Sequence, residues 1–168
     1  MSSRSSHHED ERFGLLAVDT DPAVGRVGVS GSRIPPASAQ RSGVVTADER
    51  TPIGTRDAAA LLLCVDDVPV PLRPGPGFLT RRSLRVDVEF RDRRYRFIPE
   101  TDAVSVFLRD RRPCARVTCG KPGELSVSWE AEAEAEEASL LYVLAGAFGV
   151  GAAGGLKTAI GKGIVISP

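Results

Sequence analysis

Residues 84–98, LRVDVEFRDRRYRFI, alternate between apolar and polar side chains over most of their length. The apolar positions are Leu84, Val86, Val88 and Phe90, followed after a charged turn by Tyr95 and Phe97. A period of two is typical of a β-strand that is buried on one face only. Because the period resumes after a short charged turn, the stretch predicts an antiparallel hairpin.

Further strands are predicted on both sides of this hairpin. Downstream lie VSVFLRD, CARVTC and ELSVSWE, separated by the turn sequences RDRRP and GKPG. Upstream lie RFGLLAVD, AVGRVGVS and the apolar run AAALLLCV. The segment VPVPLRPGPG has four prolines and predicts an edge strand or an extended connector, since proline cannot donate to a central ladder. The order of these strands predicts an antiparallel meander.

The remaining segments carry no sustained pattern. Residues 1–11 are polar and predict a disordered tail. Residues 31–57 hold three prolines and predict a long loop. Residues 157–168 are predicted to be a C-terminal tail, so residues 12–156 form a single β-rich domain of ordinary size.

A helix is predicted at about residues 132–150, where Ala, Glu and Leu replace the β-branched residues. Glutamates cluster at its start, where the helix dipole favours negative charge. From Leu140 to Val150 no polar stripe is present at helical spacing. Such a helix is apolar on every side and has to be enclosed.

Two environments can enclose an apolar helix, a protein core or a lipid bilayer. Residues 138–156 contain no charged side chain, and this segment is long enough to cross a bilayer. A membrane-anchored protein is therefore one alternative. Five of these residues are glycine, and acidic rather than basic residues precede them, which argues against a stable membrane span. The protein-core interpretation is favoured. It predicts a mainly β fold, an antiparallel meander or barrel-like sheet of about seven to nine strands packed around one C-terminal α-helix.

The runs RRYRFIPE, SVFLRDRRPCARVTCG and ELSVSWE, followed directly by the apolar helix, resemble the tubby-like C-terminal superfamily, in particular its LURP-one-related branch. The resemblance covers about residues 58–153 and is one of pattern and order. It implies an antiparallel barrel around a hydrophobic helix. Since some members of that superfamily bind anionic phosphoinositide headgroups, it also implies a lipid or phosphate ligand.

The composition bears on the kind of partner and on the location of the protein. The 22 basic and 22 acidic residues cancel, so the charge balance gives no reason to expect a nucleic-acid partner. Lysine accounts for only three of the basic residues, an arginine bias typical of a GC-rich bacterium. The N-terminus has no apolar stretch of the signal-peptide kind, which predicts a cytoplasmic protein, with peripheral association with the membrane as an open alternative.

No residue pattern predicts an enzyme. The two histidines, His7 and His8, fall in the predicted tail, and the three cysteines have neither disulfide nor zinc spacing. The glycine-dense stretch GAFGVGAAGG follows a helix rather than a strand and lacks a phosphate-loop lysine at the required spacing. Neither catalytic residues, nor a metal site, nor a cofactor are therefore predicted.

The most conspicuous polar feature is a set of eleven arginines between Arg81 and Arg116, against six acidic residues in the same stretch. Guanidinium groups bind phosphate through paired hydrogen bonds, so this surface predicts an anionic ligand, either a phosphate or a lipid headgroup. The candidate anion-binding residues are Arg93, Arg94, Arg96, Arg109, Arg111 and Arg112. The alternative is that these arginines are solvated strand faces and turns in a protein without a ligand.

Overall fold

The computed structural model describes residues 3–43, 47–48, 50–78, 80–121 and 124–152. In these residues the chain forms twelve strands, two short 3₁₀ helices and one α-helix. The strands are β1 (Arg4–Asp10), β2 (Gly14–Asp21), β3 (Arg26–Gly31), β4 (Ala37–Arg41), β5 (Leu61–Val65), β6 (Val68–Pro69), β7 (Leu72–Pro74), β8 (Val86–Phe90), β9 (Arg93–Pro99), β10 (Val104–Arg109), β11 (Arg112–Cys119) and β12 (Leu125–Trp129). The 3₁₀ helices are Ala58–Ala60 and Arg81–Leu84, and the α-helix α1 is Ala135–Phe148.

The strands form two antiparallel sheets of six. The first sheet contains β1 to β6 and the second contains β7 to β12, each in chain order. The mainly β fold, the meander and the C-terminal helix are therefore confirmed. The predicted number of about seven to nine strands is too low, because the tail and the long loop also contribute strands.

Three hairpins turn through two residues that both have positive φ. The pairs are Asp66 and Asp67 (51° and 61°), Arg91 and Asp92 (51° and 62°), and Asp110 and Arg111 (48° and 70°). Two-residue loops of this conformation are favoured in hairpins because they match the twist of the flanking strands. None of these three turns contains glycine. The middle turn closes the hairpin that the alternating stretch 84–98 predicts.

Helix α1 is enclosed on every side. The five consecutive residues from Leu140 to Leu144 are each at most 1% exposed. Five successive positions span more than one full turn of helix, so every side of it is covered. They share one core with inward-facing residues of both sheets, such as Val27 and Phe97. In the described part of the chain, no helix has both the length and the hydropathy needed to cross a membrane.

Both ends of α1 have capping hydrogen bonds. The Glu137 side chain accepts a hydrogen bond from the backbone N–H of Glu134 at 3.0 Å, which completes a capping box. At the other end the N–H of Ile53 donates to the carbonyl of Ala147 at 3.0 Å. The observed helix thus begins and ends slightly inside the predicted bounds of 132–150.

Two predictions of irregular structure were wrong. The polar N-terminal segment forms β1, because His8 and Asp10 are buried through hydrogen bonds rather than through apolar contacts. The predicted loop 31–57 contains β4. Its buried residues Ala37 and Ala39 are small, so the sequence ASAQR shows no clear apolar alternation. The predicted tail at residues 157–168 lies outside the described residues.

Candidate anion-binding site

The outer face of the β8–β9 hairpin carries alternating charges. On the inner face Val86 and Val88 pair with Phe97 and Tyr95, and all four are buried. Because successive side chains point to opposite faces, the residues between them point outward. Asp87 lies opposite Arg96 in the register, and Glu89 lies opposite Arg94.

A cleft of about 660 Å³ lies over this outer face. The basic residues that line it come from β7, the second 3₁₀ helix, β9 and the β10–β11 turn: Arg73, Arg82, Arg94, Arg96 and Arg111. Two carboxylates, Asp87 and Glu89, also line it. The meander brings these arginines together from four separate parts of the sequence.

A second cleft of about 560 Å³ continues past the β8–β9 turn. It shares Pro71, Glu89 and Arg94 with the first cleft, and Arg93 is one of its additional lining residues. The two clefts are therefore neighbouring parts of one groove, with Arg94 at their junction.

One arginine in the first cleft is already neutralised by a carboxylate. Arg96 donates two hydrogen bonds to Asp87, at 2.6 and 3.1 Å. The hydrogen bond to Asp87 raises the pKa of Arg96, in spite of partial burial. The Nε of Arg85 lies 3.5 Å from the same carboxylate. Asp87 is thus shared between two guanidinium groups and leaves a surplus of positive charge.

The other four arginines of the first cleft have no ion-pair partner among the described residues. They are Arg73, Arg82, Arg94 and Arg111, all of them exposed. Glu89 is likewise without an ion pair in this part of the chain. An exposed groove with four unneutralised guanidinium groups and one free carboxylate attracts anions.

The structure separates the six arginines that the sequence singles out. Arg94, Arg96 and Arg111 line the first cleft and Arg93 lines the second. Arg112 is exposed and lines neither of the two clefts.

Sequence reasoning missed Arg73 and Arg82, because a proline-rich connector and a 3₁₀ helix show no strand alternation. Only the pairing of β7 with β8, where Arg73 lies opposite Asp87, reveals that Arg73 belongs to this face.

Arg109 belongs to a buried structural cluster rather than to the groove. Its Nη1 donates to both carboxylate oxygens of Glu137, at 3.0 and 2.9 Å, and to the carbonyl of Glu132. Tyr95 also donates to Glu137, at 2.8 Å. Burial and the hydrogen bond to Glu137 both raise the pKa of Tyr95. Arg109 therefore holds the start of α1 against the second sheet through Nη1, and it lines neither of the two clefts.

The placement of both histidines in a disordered tail was wrong. His8 is buried in β1, and its Nε2 lies 2.8 Å from the hydroxyl of Ser6. Its Nδ1 accepts a hydrogen bond from the N–H of Leu125 at 3.4 Å. A neutral ring that accepts at Nδ1 carries its proton on Nε2, so His8 donates to Ser6 and is not placed to act as its base.

Across the described residues, no group of three or more His, Cys, Asp or Glu side chains is arranged to hold a metal ion. No family model, curated protein or solved structure matches the chain. The function of the chain is therefore inferred from the geometry of the groove.

Proposed function

We propose that the protein is a non-enzymatic binding or scaffold domain that takes an anionic ligand, a phosphate group or a lipid headgroup, in the groove on its second sheet. The observation that carries this proposal is the set of four exposed arginines without ion-pair partners, Arg73, Arg82, Arg94 and Arg111, around one cleft. Four guanidinium groups that repel one another are held together by the fold. An anion placed between them relieves that repulsion.

The chemistry of the groove suits an oxyanion. Each guanidinium is planar, remains charged at all physiological pH values and can donate two parallel hydrogen bonds to phosphate oxygens. Of the two carboxylates that line the cleft, Asp87 is already bonded to Arg96 and lies 3.5 Å from Arg85, so that its charge is balanced. Because the groove is open to solvent, salt screens its field, and the affinity for an anion is expected to fall as ionic strength rises.

Direct binding measurements test the proposal. Calorimetric titration with inorganic pyrophosphate represents a free phosphate, and vesicles of phosphatidylcholine with and without phosphatidylserine represent a lipid headgroup. The double variant Arg94→Gln/Arg111→Gln removes two unpaired guanidinium groups, and we expect its affinity to fall by about tenfold or more. Arg112→Gln, on an exposed arginine outside both clefts, is the matched control and is expected to bind as the wild type does.

The outcomes separate the sources of the ligand. Binding of pyrophosphate alone identifies a free phosphate ligand, and binding of phosphatidylserine vesicles alone identifies a membrane surface. Either result supports the proposal when the double variant loses it. Absence of binding to both probes, or equal loss in Arg112→Gln, contradicts the proposal and leaves a protein whose arginines are solvated strand faces.

We also propose that the two sheets wrap α1 as a barrel-like structure of the tubby-like kind. Three observations support this: α1 is buried on every side, β6 leads directly to β7, and β1 packs beside β12. An experimental structure tests it. A sheet that curves around the helix with β1 adjacent to β12 agrees with the proposal, whereas two flat sheets stacked face to face contradict it.

A further inference from the structure

The seam between β1 and β12 is closed by side chains of the β1 segment that bond to the backbone and side chain of β12. His8 accepts from the N–H of Leu125, and Glu11 accepts from the N–H of Trp129 at 3.3 Å. The indole N–H of Trp129 donates to both carboxylate oxygens of Asp10, at 3.1 and 3.0 Å. This seam joins the first sheet to the second, so whatever releases it separates the two sheets along one edge.

The protonation state of His8 is fixed by a chain of directed hydrogen bonds. The N–H of Leu125 donates to Nδ1, Nε2–H donates to the hydroxyl of Ser6, and that hydroxyl donates to the carbonyl of Val18 at 3.3 Å. The bond from Leu125 requires an unprotonated Nδ1, and therefore a neutral His8 whose proton lies on Nε2. A second proton, on Nδ1, would point at the N–H of Leu125 and place two donors against each other.

The surroundings of His8 disfavour its charged form. The residue is only 5% exposed, and its ring stacks on Tyr142 of α1 with the centroids 6.3 Å apart. Burial lowers the pKa of His8 most strongly and the neighbouring charge of His7 lowers it further, whereas the carboxylate of Glu124 raises it only in part. The other charged group nearby, Asp10, is already bonded to Tyr142 and Trp129.

We propose that His8 is an acid-sensitive latch, whose protonation breaks the bond to Leu125 and releases β1 from β12. Release uncovers the side of α1 that carries Tyr142 and frees the donor groups of Trp129. In the released segment His8 is an ordinary histidine, with a pKa of about 6.5. Below that pH each further unit raises the released population by up to about tenfold, until the lower pKa of the closed form is reached.

The chain contains a built-in reporter for this release, because Trp129 is its single tryptophan and lies in the seam. Amide hydrogen exchange resolved by segment, corrected for the intrinsic effect of pH, is measured alongside Trp129 fluorescence between about pH 8 and pH 5. We expect protection of the Leu125 and Trp129 amides, whose acceptors lie across the seam, to fall on acidification while α1 stays protected. Simultaneous loss of protection at these amides and in α1 would indicate global unfolding and overturn the proposal.

Two variants assign the effect to one ring. His8→Asn keeps an acceptor near the position of Nδ1 and has no charged form, so its seam is expected to lose the acid response. His7→Asn, at the exposed neighbouring position, is the control and is expected to retain it. An acid response that persists in His8→Asn, or disappears in His7→Asn alone, contradicts the latch.

A measurement on the unmodified protein covers the case in which His8→Asn does not fold. Nitrogen-15 spectra of the histidine rings distinguish the two neutral tautomers. We expect the Nε2–H form for His8 at pH 8, with its charged form appearing at a lower pH than that of an ordinary histidine. A Nδ1–H tautomer at pH 8 is incompatible with the bond from Leu125 and overturns the proposal.

Discussion

Tyr142 donates a hydrogen bond of 2.7 Å to the carboxylate of Asp10, which connects the only α-helix of the described chain to its first strand. The same carboxylate accepts from Trp129 and from the backbone N–H groups of Arg12 and Phe13, at 2.8 and 3.0 Å. Four donor groups thus compensate the burial of one carboxylate without a cation. β1, the seam and α1 all meet at this group.

Removal of the Tyr142 hydroxyl is expected to destabilise the protein. Tyr142→Phe keeps the ring but leaves a buried carboxylate with one donor fewer, which costs about 1.5–3 kcal/mol in the free energy of unfolding. Urea unfolding followed by circular dichroism measures it. Asp19→Asn changes an exposed carboxylate on β2 and is expected to stay within about 0.5 kcal/mol of the wild type. Equal stability of Tyr142→Phe and Asp19→Asn would show that the bond is not important for folding.

The ion pair of Glu137 with Arg109 is expected to make stability depend on acid pH. Burial raises the pKa of Glu137, but hydrogen bonds from the N–H of Glu134, from Arg109 and from Tyr95 together lower it below its ordinary value of 4.5. A carboxyl with a depressed folded pKa stabilises the protein above the unfolded value. That contribution to stability is lost as the pH falls below about 4.5 and through the lower pKa that Glu137 has in the folded protein.

The variant Glu137→Gln isolates this contribution. At pH 7 it leaves Arg109 without its carboxylate, which we expect to cost about 2 kcal/mol, since Arg109 keeps partial access to water. The gap from the wild type should narrow as pH falls below 4.5, because the wild type then loses the same charge. Glu132→Gln, an exposed neighbour, is the control. A gap that stays constant with pH contradicts the assignment.

The parts of the fold that are predictable from sequence are those where burial is apolar. Val86, Val88 and Phe90 are buried in strict alternation, and a helix with apolar residues on every side can only be an enclosed one. By contrast, β1 is buried through His8 and Asp10, whose partners lie more than a hundred residues away. No local pattern can show such partners.

The candidate site was predictable only in part for the same reason. The register of β8 and β9 follows from alternation, and so the outward positions of Arg94 and Arg96 follow as well. Whether an arginine is free depends on tertiary contacts. Arg109 forms an ion pair with Glu137, whereas Arg73 lies at the cleft because β7 pairs with β8.

The β5–β6 turn offers a test of backbone conformation. Asp67 has a φ of 61°, a left-handed conformation that costs a non-glycine residue about 1 kcal/mol. Asp67→Gly removes that cost and adds unfolded-state entropy, so we expect a small net gain in the unfolding midpoint. Asp19→Gly, within β2, is expected to destabilise by about 0.5–1 kcal/mol. Destabilisation by both variants to the same extent would contradict the turn assignment.

The approach of α1 to the first sheet depends on Gly146. A Cβ at this position would lie 2.8 Å from Cγ1 of Val27 and 3.0 Å from Cγ1 of Val18. Alanine has a helix propensity about 1 kcal/mol better than glycine, but crowding in a packed core costs about 1–3 kcal/mol. Because the clash involves two rigid β-branched side chains, we expect crowding to prevail and Gly146→Ala to lower the unfolding midpoint.

A double-mutant cycle identifies Val27 as one of the opposing groups. In a Val27→Ala background the space around Gly146 opens, and Gly146→Ala is expected to cost less there than in the wild type, or to stabilise through helix propensity. Urea unfolding of the four proteins gives the coupling. Additive effects, or a higher midpoint for the single variant Gly146→Ala, would mean that α1 does not lie as close to β3 as the structure has it.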